Sequence, residues 1–363
     1  MSLAPPRAAS TDWALPSQGI TLDGWLRPRT PSHEGDAVGA DDVQLLANWR
    51  FTHARLPVAA TLVTAPGGIA RIVAAVDLLK RFGLDAVVAL HLDDATQDAV
   101  WVDPDAATQV GATWEALAAA VRDHPGCLAL ELLDAPNPPD TLTPDAVAAL
   151  GGVRLSPAAA RRATTAGATA GRAWGGLATR LTEIVREAGA MQAIVVDAPR
   201  GDPASLDHLR PVPDDRVAYG IRAFAPVAFT LQGIDLDRDA PADAHRPPDP
   251  PVTYPGIIDG ERWDRARLEA WLAPARRFRE AYRAPLYVTG VGASAGAPRA
   301  SQLTWLRTLL RLAHECHAGW AYAAYHDARY GIVCTRGPFA GLERYRNSYR
   351  LDYDLLGVLQ GEA

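Results

Sequence analysis

The feature that most constrains the fold is a series of eight short apolar segments with amphipathic segments between them. Several are continuous runs of β-branched or other apolar residues, which is typical of strands buried on both faces. Strand and helix alternation repeated eight times predicts an α/β protein with a single (β/α)8 barrel. A doubly wound open sheet is the second interpretation, disfavoured because no glycine-rich phosphate-binding turn follows the first strand. The predicted strands cover residues 18–24, 52–58, 85–91, 127–133, 192–197, 217–224, 285–291 and 318–325.

Helical periodicity marks the segments between these strands. In one of them, Ile72, Val76 and Leu79 repeat at helical spacing, and Gly83 fits a C-cap. The segment at 156–189 is long enough for two helices. The predicted helices cover residues 38–49, 67–83, 113–126, 156–189, 263–282 and 301–315.

The domain organisation follows from these patterns. Residues 1–16 are rich in proline, alanine and serine and are predicted to be an N-terminal extension, whereas residues 17–363 are predicted to form the barrel. The segment 235–257 is rich in proline and aspartate and too polar to pack on its own. We predict that it is a long loop over the C-terminal face of the barrel, where ligands bind in such folds.

Charge and composition exclude several classes of function. The formal net charge is −6 and no run of five or six like charges is present, so no nucleic-acid partner is expected. The three cysteines, Cys127, Cys316 and Cys334, are widely spaced in apolar surroundings and are predicted to be free thiols. Their spacing is not that of a metal site, and neither a metal nor another cofactor is expected.

The N-terminus and the apolar stretches of the chain bear on where the protein is located. The N-terminus has no apolar core of a signal peptide, so the sequence as written predicts a cytoplasmic protein. An extracytoplasmic location remains the alternative if a signal was removed. No apolar stretch approaches the roughly 20 residues of a membrane span, and no membrane partner is expected.

Five sequence blocks carry a family resemblance. They are GITLDGWL at 19–26, DDVQLLANWRFTHARLPV at 41–58, RFGLDAVVALHLDD at 81–94, YGIRAFAPVAFTLQG at 219–233 and GWAYAAYHDARYGIV at 319–333. Together, in this order, they resemble the strand ends of glycoside hydrolase family 5, the cellulase-like retaining β-glycosidases. The resemblance covers nearly the whole chain and implies a barrel that acts on or binds an oligo- or polysaccharide.

The same resemblance implies that both catalytic glutamates are replaced. The fourth strand of the family ends in Asn-Glu-Pro, with the glutamate as acid/base, and here the positions read Asp134, Ala135 and Pro136. The seventh strand carries the nucleophilic glutamate, and here that position is Gly290. Retaining hydrolysis needs two carboxyl groups about 5–5.5 Å apart. The sequence therefore predicts a barrel without the family's catalytic pair.

Other family positions are partly kept. Arg55 and His91 fall on the family's arginine and histidine. The sixth-strand histidine falls on Arg222, the nearby tyrosine falls on Phe224 or Ala223, and the eighth-strand tryptophan falls on Ala323.

Candidate ligand-binding residues are the polar side chains and aromatic rings near the predicted strand ends. Each ring has core packing as its alternative role, and Asp134 could equally be a turn residue. Arg55 and Arg222 without catalytic glutamates hint at an anionic sugar, although Asp93, Asp94 and Asp197 lie on the same rim. The predicted binding residues are Trp25, Arg55, His91, Asp134, Arg222, Trp320 and Tyr325, with Tyr254 as a further ring.

Three functional hypotheses remain open from the sequence. The first is a pseudoenzyme that binds carbohydrate or assists polysaccharide metabolism. The second is a divergent glycosidase with relocated carboxylates, Asp134 and Asp197, or with a His326-Asp327 couple. The third is a scaffold that binds a partner and no sugar, since fold alone does not determine function.

Overall fold

The strands of the protein close into one parallel barrel. The computed structural model describes residues 14–27, 38–151, 167–234, 248–327, 329–334, 343–346 and 349–361. Each predicted strand is present with its ends within three residues of the prediction, and the closed barrel excludes the open sheet. Neighbours in sequence are neighbours around the barrel, and the last strand pairs with the first. The strands are β1 Gly19–Thr21, β2 His53–Ala59, β3 Asp85–His91, β4 Cys127–Glu131, β5 Ala193–Asp197, β6 Val217–Ala223, β7 Leu286–Val291 and β8 Gly319–Tyr322.

Helices follow most strands and cover the outside of the barrel. Tyr353–Leu359 forms the final helix described, and short 3₁₀ turns occupy Pro199–Gly201 and Pro203–His208. The others are α1 Ala40–Asn48, α2 Ala60–Thr64, α3 Gly68–Arg81, α4 Asp94–Ala99, α5 Pro104–Val121, α6 Pro144–Ala149, α7 Ala168–Glu187, α8 Val227–Thr230, α9 Arg265–Tyr282 and α10 Arg299–Glu315.

Two helix predictions need correction or restriction. The helix predicted at 113–126 begins earlier, at Pro104, because Asp103 caps it by accepting the N–H of Asp105 at 2.9 Å. A proline in the first helical turn costs no hydrogen bond, which is why the helix can start there. The helix predicted at 156–189 is described only from Ala168 to Glu187, and residues 152–166 lie outside the described part.

The predicted N-terminal extension is partly integrated into the barrel. Leu15 is 3% exposed and packs with a cluster of mostly small and β-branched side chains, among them Val87 and Val195, and with Tyr287. Gly319 at the start of β8 leaves room for it, since a β-carbon there would lie 2.3 Å from the carbonyl oxygen of Leu15. Residues 1–13 lie outside the described part.

The long loop predicted at 235–257 is described only from residue 248 onward. Its end is fixed by Gln232, which donates to the carbonyl of Val252 at 2.9 Å and accepts the N–H of Val252 at 3.0 Å. Two short strands, Gly256–Ile258 and Glu261–Trp263, then pair antiparallel.

The other general expectations can be checked within the described residues. Cys127 and Cys316 are buried free thiols, as predicted, and the side chain of Cys334 lies outside the described part. Among the helices of the described segments, none combines the length and apolar character that crossing a bilayer requires.

Candidate functional site

Arg55 lies between two carboxylates inside the upper part of the barrel. Its side chain projects inward from β2 and is 2% exposed. Nε donates to Oε2 of Glu131 at 2.7 Å, Nη2 pairs with Oε1 of the same carboxylate, and Nη2 also donates to Oδ1 of Asp134 at 2.8 Å. Glu131 is the last residue of β4 and is 0% exposed. Sequence reasoning missed it, although a single charge in the apolar run CLALELL was the available signal.

Asp134 is the centre of the network and accepts from three side chains. Its Oδ1 also accepts from Nη2 of Arg222 at 2.5 Å, and its Oδ2 contacts Nδ1 of His91 at 3.3 Å. Burial raises the pKa of the Asp134 carboxyl, but Arg222 and Arg55 outweigh burial and bring the pKa well below its usual range. Asp134 is therefore an ionised acceptor that has no proton to donate.

His91 is oriented by a second ion pair above β1. Arg27 forms an ion pair with Asp23, and its Nη1 lies 3.1 Å from Nε2 of His91. A guanidinium can only donate, so Nε2 of His91 must accept. In the neutral ring the proton is then on Nδ1, where it is donated to Asp134. Asp23 and Arg27 were not among the predicted site residues, because their partner lies on a strand distant in sequence.

Asp197 is a buried carboxyl below Asp134. It ends β5 and is 0% exposed. Oδ2 accepts the N–H of Ala135 at 3.3 Å and the hydroxyl of Thr289 at 3.2 Å, whereas Oδ1 is buried without a hydrogen-bond partner over Gly220. Burial, together with the neighbouring Glu131 carboxylate, raises the pKa of Asp197 well above its usual range despite the nearby arginines.

Asp197 is neither solvated nor paired with Arg200, its neighbour in the sequence. Asp197 is fully buried, and Arg200 instead donates to Oδ1 of Asn137 at 2.7 Å and contacts Asp140 at 3.3 Å. The bond from Ala135 to Asp197 holds the turn after β4, in which Ala135 has a left-handed backbone with φ of 49°.

Three carboxyl groups could in principle hold a cation. One oxygen from each of Glu131, Asp134 and Asp197 lies within 4.8 Å of the others. Oxygen donors of this kind suit calcium or magnesium. However, Arg55 already binds Glu131 and Asp134, and Arg222 binds Asp134 as well. The arrangement fits an ion-pair network better than a metal centre.

Ala135 and Gly290 lie near the C-terminal ends of β4 and β7. Gly290 pairs with Arg222 in the register of β6 and β7. The ring of Phe224 covers Gly290, because a β-carbon there would lie 3.3 Å from Cε2 of the ring. Phe224 in turn packs on Tyr330 with ring centroids 5.7 Å apart. An aromatic pair therefore takes the space next to Gly290.

The predicted sugar-stacking rings are mostly buried, which corrects that prediction. Trp320 is 6% exposed, Tyr325 is 1% exposed and Tyr254 is 2% exposed, and all three pack in the main core. None of these three offers an open ring face to a sugar. Trp25 is half-buried just after β1 and keeps the predicted role as a candidate.

The predicted His326-Asp327 couple has a structural role instead. Oδ1 of Asp327 accepts the N–H groups of Arg329 and Tyr330 at 2.7 and 3.1 Å, so it caps the turn after β8. The ring of His326 stacks on Tyr325 with centroids 4.0 Å apart. The contacts described for the two side chains therefore fix the turn after β8 and the ring of Tyr325.

Comparisons with known proteins agree with this architecture. Endoglucanase C of Acetivibrio thermocellus is 21% identical over 347 residues, which cover 86% of this chain and 92% of that protein. Cel5A of Thermotoga maritima, solved in complex with cellobiose, superposes with a TM-score of 0.69 at 18% identity, covering 94% of this chain and 97% of that one. The cellulose synthase subunit Z of Clostridioides difficile gives a TM-score of 0.68 at 15% identity, covering 95% and 99%. At sequence identities of 15–18%, this structural similarity shows that the fold is shared.

Sequence similarity to the family extends over most of the chain. Cellodextrinase A of Ruminococcus flavefaciens is 33% identical over 82 residues, which cover 20% of this chain and 24% of that protein. A family model described as cellulase (glycosyl hydrolase family 5) matches residues 20–328, which include all eight barrel strands except the first residue of β1. The chain therefore belongs to glycosyl hydrolase family 5.

Proposed function

We propose that this family 5 barrel binds a carbohydrate at the C-terminal end of its strands and does not cleave it by the retaining reaction. The observation that carries the proposal is the state of Asp134, the most exposed of the three clustered carboxyl groups Glu131, Asp134 and Asp197. It is held by Arg55 at 2.8 Å, by Arg222 at 2.5 Å and by His91 at 3.3 Å. A carboxylate with two guanidinium partners is a poor nucleophile and, being ionised, cannot act as an acid.

The remaining carboxyl groups are not placed for retaining hydrolysis. That reaction needs one carboxyl on each side of the glycosidic bond, with the two about 5–5.5 Å apart. Glu131 and Asp197 are both 0% exposed, and Asp134 separates them from the mouth with 8% exposure. A sugar at the mouth would meet guanidinium and imidazole groups before it met a reactive carboxyl. Polar recognition without bond cleavage is the chemistry that this arrangement favours.

Carbohydrate as the ligand is supported by the family and by named relatives. The Thermotoga maritima structure contains cellobiose, and the curated relatives are an endoglucanase and a cellodextrinase. Trp25 and the polar side chains of His91 and Arg222 are the groups of this chain that we assign to sugar contact. The N–H groups of Arg222 that Asp134 does not use can donate hydrogen bonds to hydroxyl oxygens. Both ring nitrogens of His91 already have partners, so His91 would contact the sugar through its partly exposed ring.

A divergent glycosidase is the second candidate, and one observation favours it. The pKa of Asp134 is lowered and that of Asp197 is raised, so one carboxyl is ionised and the other favours its proton. Such a separation is how acid and base roles are assigned in known sites. The weakness of this candidate is access, because Asp197 is fully buried and its Oδ2 is already an acceptor for two donors.

Binding and turnover should be measured on the same preparation. A calorimetric screen of β-1,4-linked oligosaccharides tests binding, and an aryl β-cellobioside with a good leaving group tests hydrolysis because it needs little acid assistance. We expect binding and no turnover. Hydrolysis that disappears in both Asp134→Asn and Asp197→Asn, but not in Lys80→Gln at the opposite end of the barrel, would establish the divergent enzyme. Absence of both binding and turnover would leave the scaffold hypothesis.

A further inference from the structure

We propose that the sugar bound at this mouth carries a carboxylate, and that Arg222 binds that carboxylate. This inference deepens the proposed function and rests on it. It goes beyond the neutral sugar of the structurally similar complex, which contains cellobiose. Its basis is the order in which charged groups are layered at the barrel mouth.

Among Arg222, His91, Asp134 and Glu131, the two basic side chains are more exposed than the two carboxylates. The side chains of Arg222 and His91 are 33% and 30% exposed. The carboxylates lie beneath them, since Asp134 is 8% exposed and Glu131 is 0% exposed. Two arginines and two carboxylates form the network of Arg55, Arg222, Glu131 and Asp134, so its ionised charges balance. The most exposed of these four groups is the positive Arg222, which faces the mouth. A ligand with anionic oxygens therefore meets its complement first.

Arg222 also has unused hydrogen-bonding capacity. A guanidinium has five N–H donors, and the contact that the described residues provide is the one from Nη2 to Oδ1 of Asp134. Nε of Arg222 is buried and has no acceptor among the described residues. A guanidinium that still has free donors can bind a carboxylate through two parallel hydrogen bonds.

The side chain of Arg222 is held in place before any ligand binds. Gly201 has a left-handed φ of 70°, and a β-carbon there would lie 2.5 Å from Cβ and 2.7 Å from Cγ of Arg222. The stem of Arg222 thus lies across the backbone at Gly201, and Asp134 fixes its head. A pre-ordered arginine loses less side-chain entropy on binding than a free one.

Opposing charges set the expected size of the effect. Asp93 is largely exposed close to His91, and the charge of Arg27 is balanced by Asp23. We therefore expect a moderate preference for the carboxylate, about tenfold in Kd, which corresponds to about 1.4 kcal/mol.

The test compares two ligands that differ only in the carboxylate. Cellotetraose and the same tetramer oxidised at C6 to glucuronate are titrated by calorimetry into the wild type, Arg222→Gln, Arg222→Lys and Lys80→Gln. Lys80 pairs with Asp85, the first residue of β3, so its substitution removes a positive charge at the opposite end of the barrel. The oxidised tetramer should bind the wild type and Lys80→Gln about tenfold more tightly, lose that preference in Arg222→Gln, and keep part of it in Arg222→Lys.

A second measurement does not depend on a variant folding. If Arg222 binds the carboxylate near the surface, the preference of the wild type for the oxidised tetramer should shrink as the ionic strength rises, whereas binding of the neutral tetramer should not change. Equal binding of both tetramers at every ionic strength would overturn the inference and leave the proposed function standing. Failure of both tetramers to bind would overturn the proposed function and this inference with it.

Discussion

The ring of Phe224 lies over Gly290, so that a β-carbon added at Gly290 would come within 3.3 Å of the ring. This contact links Gly290, to which the family resemblance assigns the nucleophile position, to a side chain that occupies the space beside it. Introducing glutamates at positions 135 and 290 therefore also requires a change in the side chains around them. A glutamate at 290 needs Phe224 to move, and Phe224 is itself packed on Tyr330.

The first prediction concerns that restoration. Gly290→Glu should lower the free energy of unfolding by about 1–3 kcal/mol through overpacking, and the double variant with Ala135→Glu should hydrolyse an activated aryl β-glucoside hardly at all. Adding Phe224→Ala should recover stability by making room. Urea unfolding and a single rate assay test both statements.

A glycine with free space provides the control for the first prediction. Gly357 lies in the helix Tyr353–Leu359 and has nothing within 4 Å of an added β-carbon, so Gly357→Ala should stabilise the protein slightly. High activity of the double variant with Phe224 intact would contradict our account of the ring as the obstacle.

The second prediction concerns the buried pair of Arg55 and Glu131. Both side chains are almost fully inaccessible, at 2% and 0% exposure. Glu131→Gln would leave the Arg55 charge with Asp134 as its remaining anionic partner, and should cost about 3 kcal/mol of unfolding free energy. The exposed pair of Arg277 and Asp207 is the control, and Asp207→Asn should cost about 0–1 kcal/mol. If the two substitutions lowered the free energy of unfolding equally in chemical denaturation, the buried network would add no more stability than an exposed ion pair.

The third prediction concerns pH and Asp197. Its folded-state pKa is raised above the unfolded value, chiefly by burial and by Glu131. The stability that this residue contributes is therefore fully present below the unfolded pKa and is lost as the pH rises through the folded pKa. Asp197→Asn cannot ionise, so it should flatten the decline in stability that begins above the unfolded pKa of about 3.9. Unfolding free energies measured from about pH 3 to about pH 9 test this.

The neighbouring carboxyl responds to pH in the opposite direction, which makes it an internal control. Burial raises the pKa of Asp134, but Arg222 and Arg55 outweigh it, so the pKa is lowered overall. Its contribution is present above the unfolded pKa and is lost as the pH falls through the folded pKa. Asp134→Asn should therefore change the acid side of the stability profile. If both variants changed the same side, the assignment of the two protonation states would be wrong.

The sequence predicted the barrel well because strand and helix periods are local signals. Burial on both faces makes each strand a continuous apolar run, and this is visible without any partner. The convergence of His91, Asp134 and Arg222 was also predictable, since the carboxyl ends of parallel strands meet at one face of a barrel. The structure brings these three together with Arg55, as that reasoning requires.

What the sequence did not provide was the pairing of charges and the burial of rings. Glu131 lies 76 residues from Arg55, and no local pattern identifies such a partner. Tyr325 looked like a candidate sugar-contacting ring at the end of β8, yet its hydroxyl donates to Asp42 on α1 at 2.9 Å and its ring is buried. Both outcomes depend on how distant segments pack, which periodicity does not encode.

The last prediction concerns the hydrogen-bonding state of His91. Nη1 of Arg27 can only donate, so Nε2 of His91 accepts at 3.1 Å and Nδ1 carries the proton that reaches Asp134 at 3.3 Å. Nitrogen NMR of labelled histidine should therefore show the Nδ1–H tautomer for the neutral ring. His91→Gln can keep both roles, because its amide donates and its carbonyl accepts, whereas His91→Ala can keep neither. We expect His91→Gln to retain most of the sugar affinity and His91→Ala to lose about tenfold, or about 1.4 kcal/mol. An Nε2–H tautomer in the free protein would contradict the series of contacts from Arg27 through His91 to Asp134. Equal sugar affinities of His91→Gln and His91→Ala would show that His91 is not part of the proposed binding surface.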